Sequence, residues 1–469
     1  MLEPIKTPTI YQNPFMAPND FSGIHLNAYM TDTGSVEGPA SAPDPLPKQK
    51  LITPAGIAAT IAFNVKGQLV TIHIGSPDSP GGDGAPHVML IDPTTLNPLI
   101  TAELPPRPSS GDKISFAGGY FYLDQDSNVV CVTANQQIRI YSTSNDTLVL
   151  LKTYDLSTLI DNPADIVNSV LPDSSGNIWY ITQKGVVGFV NPTTGMLSLL
   201  MNLNEPISKS FASDGEGRVY VVTDSPTPGV NGALYCFGVA PQGPGLEGPV
   251  RFWRTSYECG ALPIKSGQNQ VGSGTTPTCF DDFQDNHFVA ITDNAPQMNV
   301  NVYSRHSGKL VAQEPVFTDW PDANSCENSL IAVNHSIIVE NNYGNSNIQS
   351  TAGTKTTTPG VNRVDFDPAT GESSVVWANN SIAVPSVVSQ LSTGDGMIYT
   401  YAKDSTGWYW AALDFETGDL VTRSDYVKFT DLGVLEEASN NYYAGLTIGP
   451  TGAAYLSVFG GLTVWPKAS

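Results

Sequence analysis

The sequence predicts an all-β fold: a β-propeller of eight four-stranded blades, with seven as the alternative count, its ring closed by the N-terminal segment. Three observations carry this. A polar turn leading into a β-type run recurs as NVKGQLVTI (64–72), DQDSNVVCV (124–132), PDSSGNIWYI (172–181), SDGEGRVYVV (213–222), STGDGMIYTY (392–401) and GPTGAAYLSV (449–458), with looser copies at 281–290 and 333–336. A second unit, an apolar run followed by Asp or Asn and a turn often closed by Thr-Gly, recurs as IDPTTLNP (91–98), VNPTTGML (190–197), FDPATGES (366–373) and LDFETGDL (413–420). The composition agrees: charged residues are only 14%, with 43 Gly and 36 Pro, which favours strands and turns over helices.

Turn chemistry explains the units. Asp and Asn side chains bond to backbone N–H groups and open a turn, and Gly supplies the positive φ that closes a tight one. The units alternate, so each repeat reads strand, turn one, strand, loop, strand, turn two, strand, which is one blade. The blades start near 53, 113, 165, 206, 274, 323, 382 and 437. The eighth has three clear strands, Tyr443–Ile448, Ala454–Val458 and Leu462–Trp465, so the N-terminal segment must add its fourth and remove an open edge. The chain therefore reads as one propeller domain over 1–469, with 1–52 as arm and closing strand. Three long loops, at 75–86, 224–232 and 343–362, fall between the second and third strands of their blades. They share the face on which the innermost strands begin, which suggests a lid or rim around a pocket, with neutral surface insertion as the alternative for each single loop.

The net charge of −22 argues against nucleic-acid partners and anionic membrane surfaces, both of which need a positive field. No apolar run approaches the roughly 20 residues that span a bilayer. The N-terminus lacks the apolar core of a signal peptide, yet Asn145-Asp-Thr, Asn334-His-Ser and Asn379-Asn-Ser are sequons. With so acidic and lysine-poor a chain, the expectation is a secreted protein without its leader, and otherwise a cytoplasmic one. Of five cysteines, Cys131 and Cys236 sit in strand patterns and read as buried thiols. Cys259, Cys279 and Cys326 sit in connecting stretches, where one disulfide among the three is expected.

The stretch 323–345, ANSCENSLIAVNHSIIVENNYGN, gathers the most acid/base and hydrogen-bonding groups. Its two runs, Ser329–Val333 and Ile337–Glu340, are joined at Asn334–His335. In an antiparallel hairpin the start of one strand lies beside the end of the next. Cys326, Glu327 and Asn328 should therefore meet Glu340, Asn341, Asn342 and Tyr343. Other starts of inner strands supply Asn168, Ser208, Lys209, Thr276, Thr278, Asn440 and Tyr442, and ends of second strands add Asp293 and Asn294.

Glu327 is the general acid/base candidate, because a carboxyl group in a walled channel loses hydration and its pKa rises. Holding blades together through backbone N–H groups is its equal alternative. Glu340, the last strand residue, is expected to point outward. Asn328 and Asn341 suit a carbonyl-rich ligand or a calcium ion, and Tyr343 a ligand oxygen. His25 would reach a ligand if the arm crosses a propeller face. Trp408 and Trp410 share one strand face, for inter-blade packing or an aromatic wall. The six His show no HxH or HxxxH spacing, so zinc has no support. No GxSxG, P-loop, dinucleotide fingerprint or CxxC occurs.

The pattern GTTPT (274–278), ITDN (291–294), ENSL (327–330), VENNYG (339–344), GWYWAALDF (407–415) and YAG (443–445) resembles a fungal and actinobacterial group of propeller proteins. More narrowly, the chain is similar to the fungal hetero-Diels–Alderases of tropolone–sesquiterpenoid assembly. That resemblance implies a cofactor-free enzyme of secondary metabolism acting on small molecules. A hydroxymethyl-tropolone loses water to form an o-quinone methide, which the alkene of a humulene-type terpene captures. It implies Glu327 as acid/base, Asn328, Asn341 and Thr278 on the tropolone oxygens, and Tyr343 or Trp408 beside the terpene. Two other classes stay open: a calcium-dependent lactonase-like hydrolase, and a non-enzymatic binding propeller.

Overall fold

The computed structural model describes residues 3–41, 46–52, 56–75, 84–106, 119–225, 227, 229–243, 245–433 and 436–468. Seven blades follow one another along the chain, at 56–103, 121–155, 167–202, 211–257, 278–315, 331–379 and 390–427. Each is a four-stranded antiparallel meander that begins at the hub and ends at the rim. The eighth combines Thr447–Ile448, Ala454–Val458 and Gly461–Trp465 with Lys48–Leu51. The closing strand pairs antiparallel with Gly461–Trp465, Lys48 opposite Val464 and Leu51 opposite Gly461, so the eight-bladed ring forms as expected. The expected blade starts near 53 and 113, and residues 76–83 of the first long loop, lie outside the described residues. No helix among the described residues is long and apolar enough to cross a membrane.

The turns work as the repeats imply. In the first turn of blades 2, 3, 4 and 5, Oδ1 of Asp124, Asp173, Asp214 and Asp282 accepts from backbone N–H groups two and four residues on. Asn64 does the same in blade 1. One residue of this turn is left-handed in every blade: Gly67, Ser127, Gly176, Gly217, Asp285, Asn334, Gly396 and Gly452. Large aromatics fill the space between blades. Trp408 is 1% exposed and stacks on Tyr401 with ring centroids 5.1 Å apart, while Trp410 Nε1 donates to Thr463 Oγ1 of blade 8 at 3.3 Å. Trp408 is thus a packing residue, and the aromatic-wall expectation does not hold for it.

The arm does more than close the ring. Residues 21–34 run across the hub, and their carbonyls accept from the N–H groups of successive inner strands. Phe21 serves Phe63 of blade 1, Ser22 serves Leu123 of blade 2, Ala28 serves Ser213 of blade 4 and Tyr29 serves Cys279 of blade 5. Thr31 then serves Ala332 of blade 6 and Asp32 serves Leu391 of blade 7. Thr33–Gly34 ends the crossing as a parallel fifth strand beside Leu391 and Ser392. These bonds satisfy polar groups that a bare hub would leave to water, and they plug one end of the channel.

All five cysteines are free thiols, so the expected disulfide is absent. Cys259 accepts from the Gly232 N–H at 3.0 Å, Cys279 lies in the blade 5 inner strand, and Cys326 donates to the Asn328 carbonyl at 3.2 Å. Cys259 thus lies in the link after blade 4, Cys279 within blade 5 and Cys326 in the link before blade 6. Burial pushes the Cys326 thiol up to about 12.

Ring closure makes a prediction. Gly461 has φ +139°, and a Cβ there would overlap the Lys50 carbonyl and lie 2.6 Å from the Ile52 N–H nitrogen. Gly461→Ala should expel the closing strand, costing about 2 kcal/mol, and lower Tm by several degrees. An unchanged Tm would mean that Lys48–Leu51 does not hold the ring shut.

Candidate functional site

With the arm as floor, the hub becomes a cup of about 670 Å³. Its wall comes from the starts of inner strands, including Asn168, Lys209, Thr276, Glu327 and Tyr442. Gly23–Leu26 and Asp32 of the arm form the floor. The rim includes Asp224 and Ser346–Ile348, from the insertions at 224–232 and 343–362, and Gln268–Gln270 from the link between blades 4 and 5.

Charge concentrates on one side of the wall. The Glu327 side chain, 2% exposed, pairs through Oε1 with the Lys209 ammonium, whose side chain is 11% exposed. Asn269 Nδ2 donates to the same oxygen at 2.9 Å, and the Glu327 N–H is tied to Asn342 Oδ1 at 2.7 Å. Oε2 is buried and has no hydrogen-bond partner among the described residues. Burial raises the Glu327 pKa, and Lys209 opposes the rise. Asp224 is pushed up to about 7: burial raises it, Lys209 lowers it and the Glu327 charge raises it again. One ammonium thus serves two buried carboxyl groups, and Asp224 exchanges its proton near neutrality. The hydroxyls of Tyr120 and Tyr442, which also line the cup, make no hydrogen bond among the described residues. Burial and the Glu327 charge raise both phenols, which keeps them protonated as donors.

A second group occupies the floor. His25 Nδ1 lies 2.8 Å from Asp32 Oδ2 and 3.1 Å from Oδ1, and His25 Nε2 lies 3.0 Å from Ser329 Oγ. All three residues line the cup.

Of the nine site residues expected from sequence, Glu327, His25 and Tyr442 line the cup. The other six lie off it. Side chains alternate along extended chain, so Glu327 and Ser329 face in while Asn328 between them faces back. Asn328 Nδ2 donates to Glu340 Oε2 at 2.7 Å and to the Val387 carbonyl at 2.5 Å. Thr278 Oγ1 donates to the Leu330 carbonyl at 3.3 Å. Asp293 accepts from the Asn299 N–H and Nδ2 at 2.8 and 2.7 Å. Asn341 joins hairpin and loop through the Ala323 carbonyl and the Ser325 and Tyr343 N–H groups. Tyr343 is half-buried outside the cup, and Trp408 packs in the core. Glu340 does not point outward as expected: it is 5% exposed, held by Asn328 behind the wall, and burial pushes it up to about 8. Lys209 is legible in the sequence only as the start of an inner strand, and Asp224, Asp32, Ser329, Asn269 and Tyr120 join the cup unexpected. Asp224 was signalled by its place at the head of a long insertion, whereas Asp32 and Ser329 carry no local signal.

Among the described residues, no three or more His, Cys, Asp or Glu side chains converge as metal ligands. No family model matches the chain. It is 27% identical over 320 residues to an uncharacterized protein of Archaeoglobus fulgidus, a match covering 61% of this chain and 58% of that protein. The chain thus spans less than two thirds of that relative's length. Solved structures with a similar fold include a europium-containing methanol dehydrogenase, with TM-score 0.56, 11% identity and coverage of 94% and 90% of the two chains. The quinohemoprotein alcohol dehydrogenase of Comamonas testosteroni gives TM-score 0.57 at 11% identity, covering 97% and 80%. Identities this low show the fold alone, a β-propeller that some enzymes share.

The buried carboxyl groups set a pH dependence. Asp224 near 7, Glu340 near 8 and Asp293 near 6 hold protons more tightly folded than unfolded. The unfolded chain therefore binds fewer protons from the ordinary carboxylate range up to about pH 8, and stability falls as pH rises across that window. Tm should be higher at pH 5 than at pH 8. Glu340→Gln, which can still accept from Asn328, should flatten that slope. Equal slopes in variant and parent would show that Glu340 is ionised when folded.

Proposed function

We infer that the cup is the active site of a cofactor-free enzyme that moves protons on a small, oxygen-bearing organic substrate, with Glu327 as the acid/base group. One observation carries this: a buried glutamate with one oxygen unpartnered among the described residues, coupled through a single lysine to a second carboxyl group that titrates near neutrality. Such a unit both gives and takes a proton at working pH. The Tyr120 and Tyr442 hydroxyls are suited to grip substrate oxygens, and Ile61, Ile264, Ile348 and Leu446 give the same cup apolar wall. Its volume lies within the range of about 300–1,000 Å³ usual for small-molecule sites.

The finer reading follows the sequence resemblance: dehydration of a hydroxymethyl-tropolone and hetero-Diels–Alder capture of the quinone methide by a humulene-type terpene. In the dehydration, the Glu327–Lys209–Asp224 unit gives one proton to the departing hydroxyl, which leaves as water. It takes back the proton lost by the ring hydroxyl, so the enzyme ends as it began. The cycloaddition then needs only orientation of two partners in a closed space, which the apolar side of the cup favours. A calcium-dependent hydrolase is the weaker reading, because Lys209 already supplies the positive charge beside Glu327.

The test is conversion of a hydroxymethyl-tropolone and humulene-type terpene mixture by parent and Glu327→Gln proteins of matched Tm. Loss of about 10²-fold or more in kcat is expected. Full turnover by the variant would remove Glu327 from the chemistry.

A further inference from the structure

We propose that Ser329, His25 and Asp32 form a nucleophilic triad on the floor of the cup, able to cleave carboxylic esters or lactones. This activity is separate from the acid–base chemistry of Glu327. The geometry is that of an activated serine. A carboxylate only accepts hydrogen bonds, so Asp32 at 2.8 Å fixes the imidazole hydrogen on Nδ1. Nε2 is then left to accept the hydroxyl proton of Ser329, 3.0 Å away. A nucleophile bonded to a base that a third group orients is recognised by these contacts and not by sequence order. That is why a chain without GxSxG can carry one. Here base and acid come from the arm, and the serine lies 304 residues further on in blade 6.

The arm holds the pair in a conformation that its sequence would not choose. His25, Leu26, Met30 and Asp32 have φ of 53°, 71°, 60° and 48°, in the left-handed region that disfavours side chains. Local bonds over-determine it. Ser22 Oγ donates to the Leu26 carbonyl at 2.8 Å, the Asn27 N–H to the His25 carbonyl at 2.9 Å, and the Leu391 N–H to the Asp32 carbonyl at 2.9 Å. Backbone strain sustained in this way clusters at functional sites. A turn needed only to cross the hub would not require four such residues, nor need to bring His25 and Asp32 onto one serine facing a cavity.

The chemistry balances. Ser329 Oγ attacks the carbonyl carbon and gives its proton to His25 Nε2. The tetrahedral adduct collapses, and the leaving alkoxide takes that proton as an alcohol. Water then attacks the acyl-serine, again losing a proton through His25, and releases the acid with Ser329 restored. Asp32 takes no proton in the cycle; its carboxyl, raised by burial and lowered by His25, faces the imidazolium. The Tyr120 and Tyr442 hydroxyls, without a partner among the described residues, line the same cup and are the donors proposed for the oxyanion.

The test uses the full chain and two probes, a fluorophosphonate and p-nitrophenyl butyrate. Intact mass should show one phosphonyl adduct per chain, mapped by peptide sequencing to Ser329 and absent from Ser329→Ala. Butyrate hydrolysis by that variant should fall about 10³-fold or more at unchanged Tm, and Asp32→Asn should slow adduct formation. A purely structural Ser–His–Asp pin would leave Ser329 unmodified under excess probe. That result, or hydrolysis undiminished in Ser329→Ala, overturns the proposal. Should the variant fail to fold, labelling of the parent protein at Ser329 still decides.

Discussion

An N-terminal arm that hands its carbonyls to the inner strands of six blades is what gives this propeller a site. Without it the hub would be an open channel edged by unpaired strand groups. With it, the N–H groups of Phe63, Leu123, Ser213, Cys279, Ala332 and Leu391 are satisfied and one end of the channel is shut. The two ends of the arm divide the work. Residues 21–34 build the floor, and Lys48–Leu51 completes the eighth blade and with it the ring. Fold closure and site formation are therefore tied to the same fifty-odd residues.

Closing the cup changes its electrostatics. Water is held off from Glu327 and Asp224, so their charged forms become costly, and Lys209 must answer for both. Desolvation raises the two carboxyl groups while the shared ammonium keeps Glu327 paired. Glu340 shows the same physics without function: equally buried, bonded to Asn328 behind the wall, and raised to about 8. A shifted carboxyl group is thus not in itself a site. What separates Glu327 from Glu340 is that Glu327 lines the cavity.

The blades were legible because turn chemistry is local. Asp124, Asp173, Asp214 and Asp282 each bond within five residues of themselves, so repeats announce them. The same periodicity located Glu327, Tyr442 and Lys209 at the starts of inner strands. It failed at the next step, where one residue of register decides between cavity and core: Asn328 and Thr278 follow the right strands but face other blades. Trp408 went the same way, since an alternating aromatic pair reads equally as wall or packing. The floor was beyond reach. Asp32 meets His25 through a left-handed turn that no propensity favours, and Ser329 meets them only because the arm crosses the hub. The expected disulfide failed because a place near a strand boundary in the sequence does not bring thiols together: Cys259 bonds to Gly232, Cys326 to Asn328, and Cys279 is locked in an inner strand.

The account rests on the arm being a fixed floor. Hydrogen–deuterium exchange read at the amides of Ser213, Cys279, Ala332 and Leu391 tests this directly, because their only described backbone acceptors at the hub are arm carbonyls. A fixed floor predicts exchange as slow as at the blade interior, for instance at Val221 and Val289, and lost together with them on global unfolding. Exchange of those four amides at the rates of surface loops, with the blades still protected, would mean an open hub and no cup.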